Sequence, residues 1–528
     1  MPWNYAEAKN RIRQSIIDAP LVKAQNFATE YYPTYITEEN LRRQRKEISQ
    51  KPLFGLAGKK PVLVETIQIY VNITNYDEYR LQDGVENEAT HKRALQFLHL
   101  HYSACDRIVE NTNAQRVDFH SARMHAVILE SQGTGISRSS LIEALELANQ
   151  LRMLSNLANQ ELADNQLGAR FRIGIDAGPC VAINSGNGKD KEPLFLGSAA
   201  NHAAKLAEGD VPGIFLSDRV RTVLGLSAVG SLDLERLTVL EEDYYRDSLK
   251  PELFTDTAGQ IKTAEERTQS LLAEWKGDIL AKKEVPISNP SFTFHRMEPP
   301  LSKIEYSKLS PSNSIRMDMA SLFADLDGYT AYIDEAMRGG DVSEAVRAIF
   351  VIRGELQTVL ERDFGGRKVR FIGDCIHGVI AEGTSENIDL VQTVRSTAEC
   401  AGALRSSFDI CKKELRNIDN LGLAIGAELG KTPISRIGIR GERGVRIASS
   451  LATTGSENLQ GSCNGTQTRF GAQALKNLPF GLHDQFNDSG FSNNMQYDDV
   501  AATIVGQSST TKTSTTPVHR SHSVAIKK

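Results

Sequence analysis

Apolar and polar positions alternate through "VLVETIQIYVNI" at 62–73, which predicts a strand, and "HKRALQFLHLHYSACDRIVENT" at 91–112 repeats its apolar residues at helical spacing. "RVDFHSARMHAVILE" (116–130) reads as a hairpin, "SLIEALELANQLRMLSNLA" (140–158) as a helix and "ARFRIGIDAGPCVAI" (169–183) as a strand. The same order then begins again. Strand "IRMDMASLFADL" (315–326), helix "VSEAVRAIFVIRGELQTVLERD" (342–363) and hairpin "RKVRFIGDCIHGVIAEG" (367–383) are followed by helix "LVQTVRSTAECAGALRSSFDICKKEL" (390–415) and strand "LGLAIGAELG" (421–430). Such an order predicts an α/β (α+β) fold repeated in tandem.

Register tests the repetition, because a duplication keeps nearly one offset across several elements. "IYVNITNYD" lies against "LFADLDGYT" with Asn72 on Asp325, "RVDFHSARMHAVI" against "KVRFIGDCIHGVI" with Ala122 on Asp374, and "IGIDAGP" against "IGAELGK" with Gly174 on Gly426. Each pair is roughly 250 positions apart. The expected organisation is a charged helical extension (1–58), a first unit (59–256), a helical connector (257–300), a second unit (301–507) and a Ser/Thr-rich disordered tail (508–528). The extension, with "EENLRRQRKEIS", reads as a solvated helix face that packs on the adjacent first unit.

Composition narrows the function classes. A net charge of −5 over 528 residues disfavours a general phosphate-backbone binder, so nucleic acid is not an expected partner. Cysteines at 105, 180, 375, 400, 411 and 463 form no CxxC pair, which fits neither a zinc site nor a disulfide scaffold and suits a reducing cytoplasm. "MPWNYAEAKNRIRQSI" has no apolar core of a leader, and no run reaches the ~18 apolar residues a bilayer crossing needs, so no membrane association is expected.

The candidate chemistry lies in the second unit. Asp325 ends a strand and Asp374 sits at a Gly-Asp hairpin turn, so both can reach one sheet edge. Two converging carboxylates suit Mg²⁺ or Mn²⁺ shared with substrate phosphates. "LDGYT" adds Gly328, Tyr329 and Thr330 as a phosphate loop at a helix N-terminus. At the equivalent places in the first unit stand Asn72 and Ala122, which cannot replace two anionic ligands. Asp325 alone reads equally as a helix cap. Asp327 reads as a turn residue, and His120, His125 and His377 as packing residues without ligand spacing.

These motifs resemble the class III nucleotide cyclases, the adenylate and guanylate cyclases. "FADLDGYT" resembles their first metal motif, "RFIGDCIHGVI" their second, and "LFLGSAANHAAKLAE" in the first unit their late Asn-containing helix. The resemblance implies two tandem cyclase-like domains (a ferredoxin-like βαββαβ core) forming a pseudo-dimer, with a composite site between them. Asp325 and Asp374 would hold two divalent ions, Asn201 would orient the ribose, and Lys205, at the usual Arg position, would stabilise charge on the α-phosphate. In the second unit Arg446 and Ser450 align with the family's Asn and Arg. Each half therefore lacks what the other supplies.

By the same alignment the base-selecting positions are Asp118 and Leu194, neither an adenylate nor a guanylate cyclase pair. A carboxylate accepts from the cytosine N4 amine or from uracil N3–H. The pattern resembles the bacterial pyrimidine cyclases of anti-phage signalling (the Pycsar type), which implies a substrate order of CTP, then UTP, then GTP, and a downstream cyclic-nucleotide-binding effector. A monomer with an internal pseudo-dimer and a homodimer both remain open. So do the alternatives of a nucleotide sensor, an adenylate or guanylate cyclase, and a palm-type nucleotidyltransferase.

Overall fold

The computed structural model describes residues 3–19, 21–44, 51–52, 60–131, 135–161, 168–185, 192–230, 264–281, 292–340, 342–439 and 441–510. Most of the expected disordered tail (508–528) lies outside the described residues.

Two sheets organise the chain. In the first, β1 (Gln25–Asn26), β2 (Val62–Ile73), β3 (Gln115–His120), β4 (Arg123–Leu129), β5 (Phe171–Ser185), β6 (Glu192–Leu196) and β7 (Gly213–Leu216) run in the order β3-β4-β2-β5-β6, with β1 beside β2 and β7 beside β5. The second contains β8 (Phe294–His295), β9 (Ser314–Asp327), β10 (Arg367–Ile372), β11 (Cys375–Ile380), β12 (Gly422–Ile437), β13 (Val445–Ala448), β14 (Gln467–Phe470) and β15 (Phe491–Asn493). Its order is β10-β11-β9-β12-β14-β15, with β13 on the far end of β12. On β2 the alternation changes phase: Ile67, Ile69, Val71 and Ile73 are buried on one face in the first unit's main core, and Val62 and Val64 on the other face in a smaller cluster.

The duplication holds residue by residue. Tyr70 lies opposite His125 and Gly174, and Phe323 opposite His377 and Gly426. Both ring pairs stack with centroids 4.2 Å apart. Each hairpin also carries one register irregularity, before Asp118 in one and before Arg370 in the other. Gly174 and Gly426 are required by close approach: a Cβ there would lie 2.2 Å from the Ala203 carbonyl oxygen and 2.3 Å from that of Ser456, on the helices Ser198–Leu206 and Leu451–Gly461 that cross the sheets. Gly426→Ala is expected to cost about 1–3 kcal/mol, read as a fall in the denaturation midpoint, because the clash is with backbone that cannot rotate away.

The units exchange arms. Val181, Ile183, Leu194 and Leu196, from β5 and β6, are buried in the core of the second unit, while Ile437, Val445 and Ile447, from β12 and β13, are buried in that of the first. This reciprocal burial makes the tandem units a pseudo-dimer and fixes the cleft between them.

Two expectations for the N-terminal stretch are corrected. The helix Tyr5–Asp18 docks on the second unit, not on the adjacent one: Trp3 donates its indole N–H to Ser407 Oγ at 2.9 Å, and Arg11 pairs with Glu355 and Asp363, each at 2.8 Å. On the helix Tyr32–Arg43 the charged face is solvated only in part: Glu38 and Arg43 are exposed, but Glu39 and Arg42 are buried and Arg42 pairs with Glu39 (2.7 Å) and Glu110 (2.6 Å). The helix Ala264–Ala281 in the connector also packs, burying Trp275 among first-unit residues with its indole N–H on Ser103 Oγ at 3.1 Å.

Candidate active site

Strand β9 carries Asp325 to its C-terminal end and then stops, because Gly328 adopts φ 82° and a Cβ there would meet the Asn420 carbonyl at 3.0 Å. Exposed Asp327 closes the turn by accepting from the Gly465 N–H at 2.8 Å. The helix Tyr329–Arg338 starts without a side-chain cap, which leaves its first N–H groups open toward the cleft. Asp374 follows Gly373, whose φ of 58° makes the β10–β11 turn.

The two carboxylates face the same space. Burial and the neighbouring Asp327 push the Asp325 carboxyl up to about 6, against hydrogen bonds from the Leu326 N–H and Gln460. Asp374 is pushed well above the ordinary carboxylate range by burial and by Asp325. The charge of Arg353 and backbone N–H groups offset only part of this for Asp374.

A cavity of about 560 Å³ joins them to the first unit. Asp118, Leu194, Asn201, Asp325, Asp374 and the loop Gly328, Tyr329 and Thr330 all line it. Asn201, on the helix Ser198–Leu206, donates its side-chain amide to Thr330 Oγ1, and Asp334 accepts from the Ser198 N–H at 3.2 Å, so the late helix of one unit is pinned to the phosphate loop of the other. Lys205 is not brought into this group. One turn beyond Asn201, it is exposed, does not line the cavity and has no carboxylate partner among the described residues.

At the other end of the cavity Asp118 is held by Arg370 at 2.5 Å, and burial raises its carboxyl in spite of that cation. Leu194 is buried beside it. Glu192, two residues earlier on the same strand face, is a wall residue that the sequence motifs do not single out. Burial alone would raise its carboxyl, but Lys368, Arg446 and the Phe371 N–H (2.7 Å) hold it below the ordinary range. The signal available in sequence was only its i, i+2 relation to Leu194; its cationic partners lie in the other unit. Tyr70 and His125 complete this wall as a stacked pair, with His125 neutral because burial lowers its pKa to about 3.

The duplicate position is occupied differently. Asn72 and Ala122 line a smaller cavity of about 280 Å³, together with Arg80. Arg80 pairs with Asp77 at 2.6 Å and donates to the Ser450 carbonyl at 3.3 Å and to Thr454 Oγ1. A guanidinium therefore stands in the arm of the pseudo-dimer where the carboxylate pair is absent.

The expected pairing of the late helices is corrected by the packing. Ala203 and Ala207 approach Gly174 as Ser456 and Gln460 approach Gly426, so the counterparts of Asn201 and Lys205 are Thr454 and Asn458, not Arg446 and Ser450. Arg446 lies on β13 and Ser450 caps the helix Leu451–Gly461. Strand β13 is the counterpart of β6, and the motif match ran eight positions short, laying the strand residue Arg446 on the helical Asn201. Neither Thr454 nor Asn458 reproduces the Asn201 and cation pattern.

Among the described residues, no three or more His, Cys, Asp or Glu side chains gather in a group that would hold a metal by protein ligands alone. A two-carboxylate site fits ions whose remaining ligands come from substrate and water. No helix of the described residues is long and apolar enough to cross a membrane.

No protein-family profile matches the chain. It is 41% identical over 490 residues to a uridylate cyclase from a Rhizobium species, covering 92% of both chains. It is 32% identical over 508 residues to a uridylate cyclase from Pseudomonas aeruginosa, covering 95% of this chain and 91% of that one. A crystal structure of a class III adenylyl cyclase-like ATP-binding protein from Pseudomonas aeruginosa superimposes with a TM-score of 0.80 at 31% identity, over 95% of this chain and 99% of that chain. A fold shared over nearly the whole length, with relatives this similar, makes the chain a nucleotide cyclase belonging to the class III cyclase family, in its two-domain, single-chain form.

Proposed function

We propose that the chain converts UTP to its 3′,5′-cyclic monophosphate and pyrophosphate in the pocket that Asp325, Asp374 and Asn201 line between its two units. The cyclic nucleotide would act as a second messenger in anti-phage signalling, through a cyclic-nucleotide-binding effector. The observation that carries this reading is the sharing of the pocket: Asp325 and Asp374 come from one unit, and Asn201, Asp118 and Leu194 from the other. The relatives named uridylate cyclases move the expected substrate from CTP to UTP. A carboxylate acceptor alone does not separate the two bases, since it takes a proton from cytosine N4 as readily as from uracil N3. Uracil, with a carbonyl on each side of its N3–H, suits a wall whose carboxylates are each backed by a cation.

Asp325 and Asp374 fit divalent cations, Mg²⁺ or Mn²⁺, because they are two half-buried carboxylates lining one cavity whose ionised forms are incompletely compensated. Asp325 and Asp374 would hold the cation, whose charge would supply neutralisation of the triphosphate and acidification of the ribose 3′-hydroxyl. The chain's own groups do the rest. The open N–H groups at Gly328, Tyr329 and Thr330 receive phosphate oxygens, Asn201 orients the ribose, and one carboxylate of the base wall accepts N3–H. Lys205, exposed and on the same helix as Asn201, swings to the α-phosphate when the anion arrives. Lys205→Ala is then expected to lower kcat by roughly a hundredfold, with partial rescue by Lys205→Arg; an unchanged kcat would remove Lys205 from the site.

The direct test is incubation with each of the four nucleoside triphosphates and Mn²⁺, with products read by mass spectrometry. Cyclic UMP as the main product is expected. Cyclic product from another base would overturn the substrate assignment, and nucleotide binding without any cyclic product would replace catalysis by sensing.

A further inference from the structure

A second cleft, of about 750 Å³, lies behind the base wall, with Asp118 and Glu192 forming the partition between it and the nucleotide pocket. Six cations line it, five of them from the second unit, against four carboxylates, Asp118, Glu192, Glu305 and Glu442. Arg436 on β12 and Arg446 on β13 are direct cross-strand partners, and both line the cleft. Like charges placed opposite each other in a sheet repel, and an anion between or beside them relieves that repulsion.

The neighbouring carboxylates do not supply that anion to Arg436. Glu192 is engaged by Arg446, and Asp118 by Arg370 at 2.5 Å. Among the described residues Arg436 donates to the Gly441 carbonyl, and its electrostatic neighbour is the cation Arg446, which, after burial, is what lowers its pKa. Lys303, across the cleft, is exposed and likewise has no carboxylate partner among the described residues. The ring of Tyr306 is flanked by Arg367 at 5.0 Å and Arg446 at 5.3 Å, which holds the guanidinium groups in fixed orientations along one side. Three cations spread along a cleft this wide suit an anion with more than one phosphate group.

We propose that this cleft is a second anion site, taking a small molecule with a di- or triphosphate group on Arg436, Arg446 and Lys303. Arg446 is shared with Glu192, so an anion that draws on Arg446 loosens a wall residue of the nucleotide pocket, and the two sites are coupled through that one guanidinium.

The test is calorimetric titration of the full chain in EDTA with pyrophosphate and, in a parallel arm, UTP. Without divalent ions the pocket around Asp325 and Asp374 repels both probes, so binding to the cleft is read separately from the chemistry. The expected result is binding that persists in Asp325→Ala and weakens at least tenfold in Arg436→Gln and severalfold in Lys303→Ala. Binding of pyrophosphate alone assigns the site to an inorganic polyphosphate, and binding of both assigns it to a polyphosphate group in general. Binding lost in Asp325→Ala and unchanged in Arg436→Gln would put the anion in the nucleotide pocket and overturn the proposal. So would the absence of binding at millimolar probe.

Discussion

Asp374→Ala is expected to lower cyclic-nucleotide formation by about a thousandfold or more while the protein stays folded. The side chain stands at a hairpin turn, half-buried beside Asp325, and its removal takes half of the carboxylate pair at this end of the cavity. The neutral variants make a sharper test. The Asp325 pKa is raised to about 6 from an ordinary 3.8, so the folded state holds this proton more tightly than the unfolded chain. The destabilisation from ionising it is absent below pH 4, grows between pH 4 and 6 and is complete above 6. In EDTA at pH 7.5, Asp325→Asn should therefore be more stable than the native protein by about 3 kcal/mol, with the difference vanishing near pH 4. Mn²⁺ should raise the native melting temperature at pH 7.5 and leave the variant nearly unmoved. A variant less stable than the native protein at pH 7.5 would mean that the pair is not waiting for a cation.

The largest effect on stability is expected at the seam of the units. Asp106, fully buried on the helix Glu88–Glu110, accepts from Arg116 at 3.1 Å and from Arg443 of the second unit's arm. Arg443 also reaches Glu110 at 3.3 Å, which in turn meets Arg42. Asp106→Ala would leave two guanidinium groups buried without their shared anion, a loss of about 3–5 kcal/mol. Chemical denaturation should show it as a lowered midpoint, and cyclase activity should fall with it because the arm positions the cleft. A Leu replacement at Asp106 together with Met at 116 and 443 should recover much of the stability, since an apolar triad removes the stranded charges.

The strands and long helices were legible because their apolar patterns are long: β2 and the helix Leu390–Glu414 match the sequence pattern to within a residue or two. The tandem register was legible too, since the Tyr70 and Phe323 strands are nearly identical in spacing. In the cleft, Asp325, Asp374, the Gly328–Thr330 loop and Asn201 come together as the motifs implied.

What escaped the sequence depends on contacts between distant segments. Glu192 is a wall residue by virtue of Lys368 and Arg446, and the helix Tyr5–Asp18 binds the far unit through Arg11 and Glu355. The Arg446 and Ser450 alignment failed because it ran eight positions short and laid strand β13 on the helix, and Lys205 lies outside the cavity because helix phase turns Ala204 and Glu208 inward instead. Neither follows from local periodicity.

The central claim is one composite site within one chain, and mixing two inactive variants tests it most directly. Asp325→Ala damages the second unit and Asn201→Ala the first. If each chain builds its own pocket, every pocket in the mixture carries one defect, and cyclic UMP formation should stay at the level of the separate variants. Recovery toward about a quarter of native activity on mixing, the fraction expected when random pairs of chains complete a pocket between them, would show that the site is shared between chains.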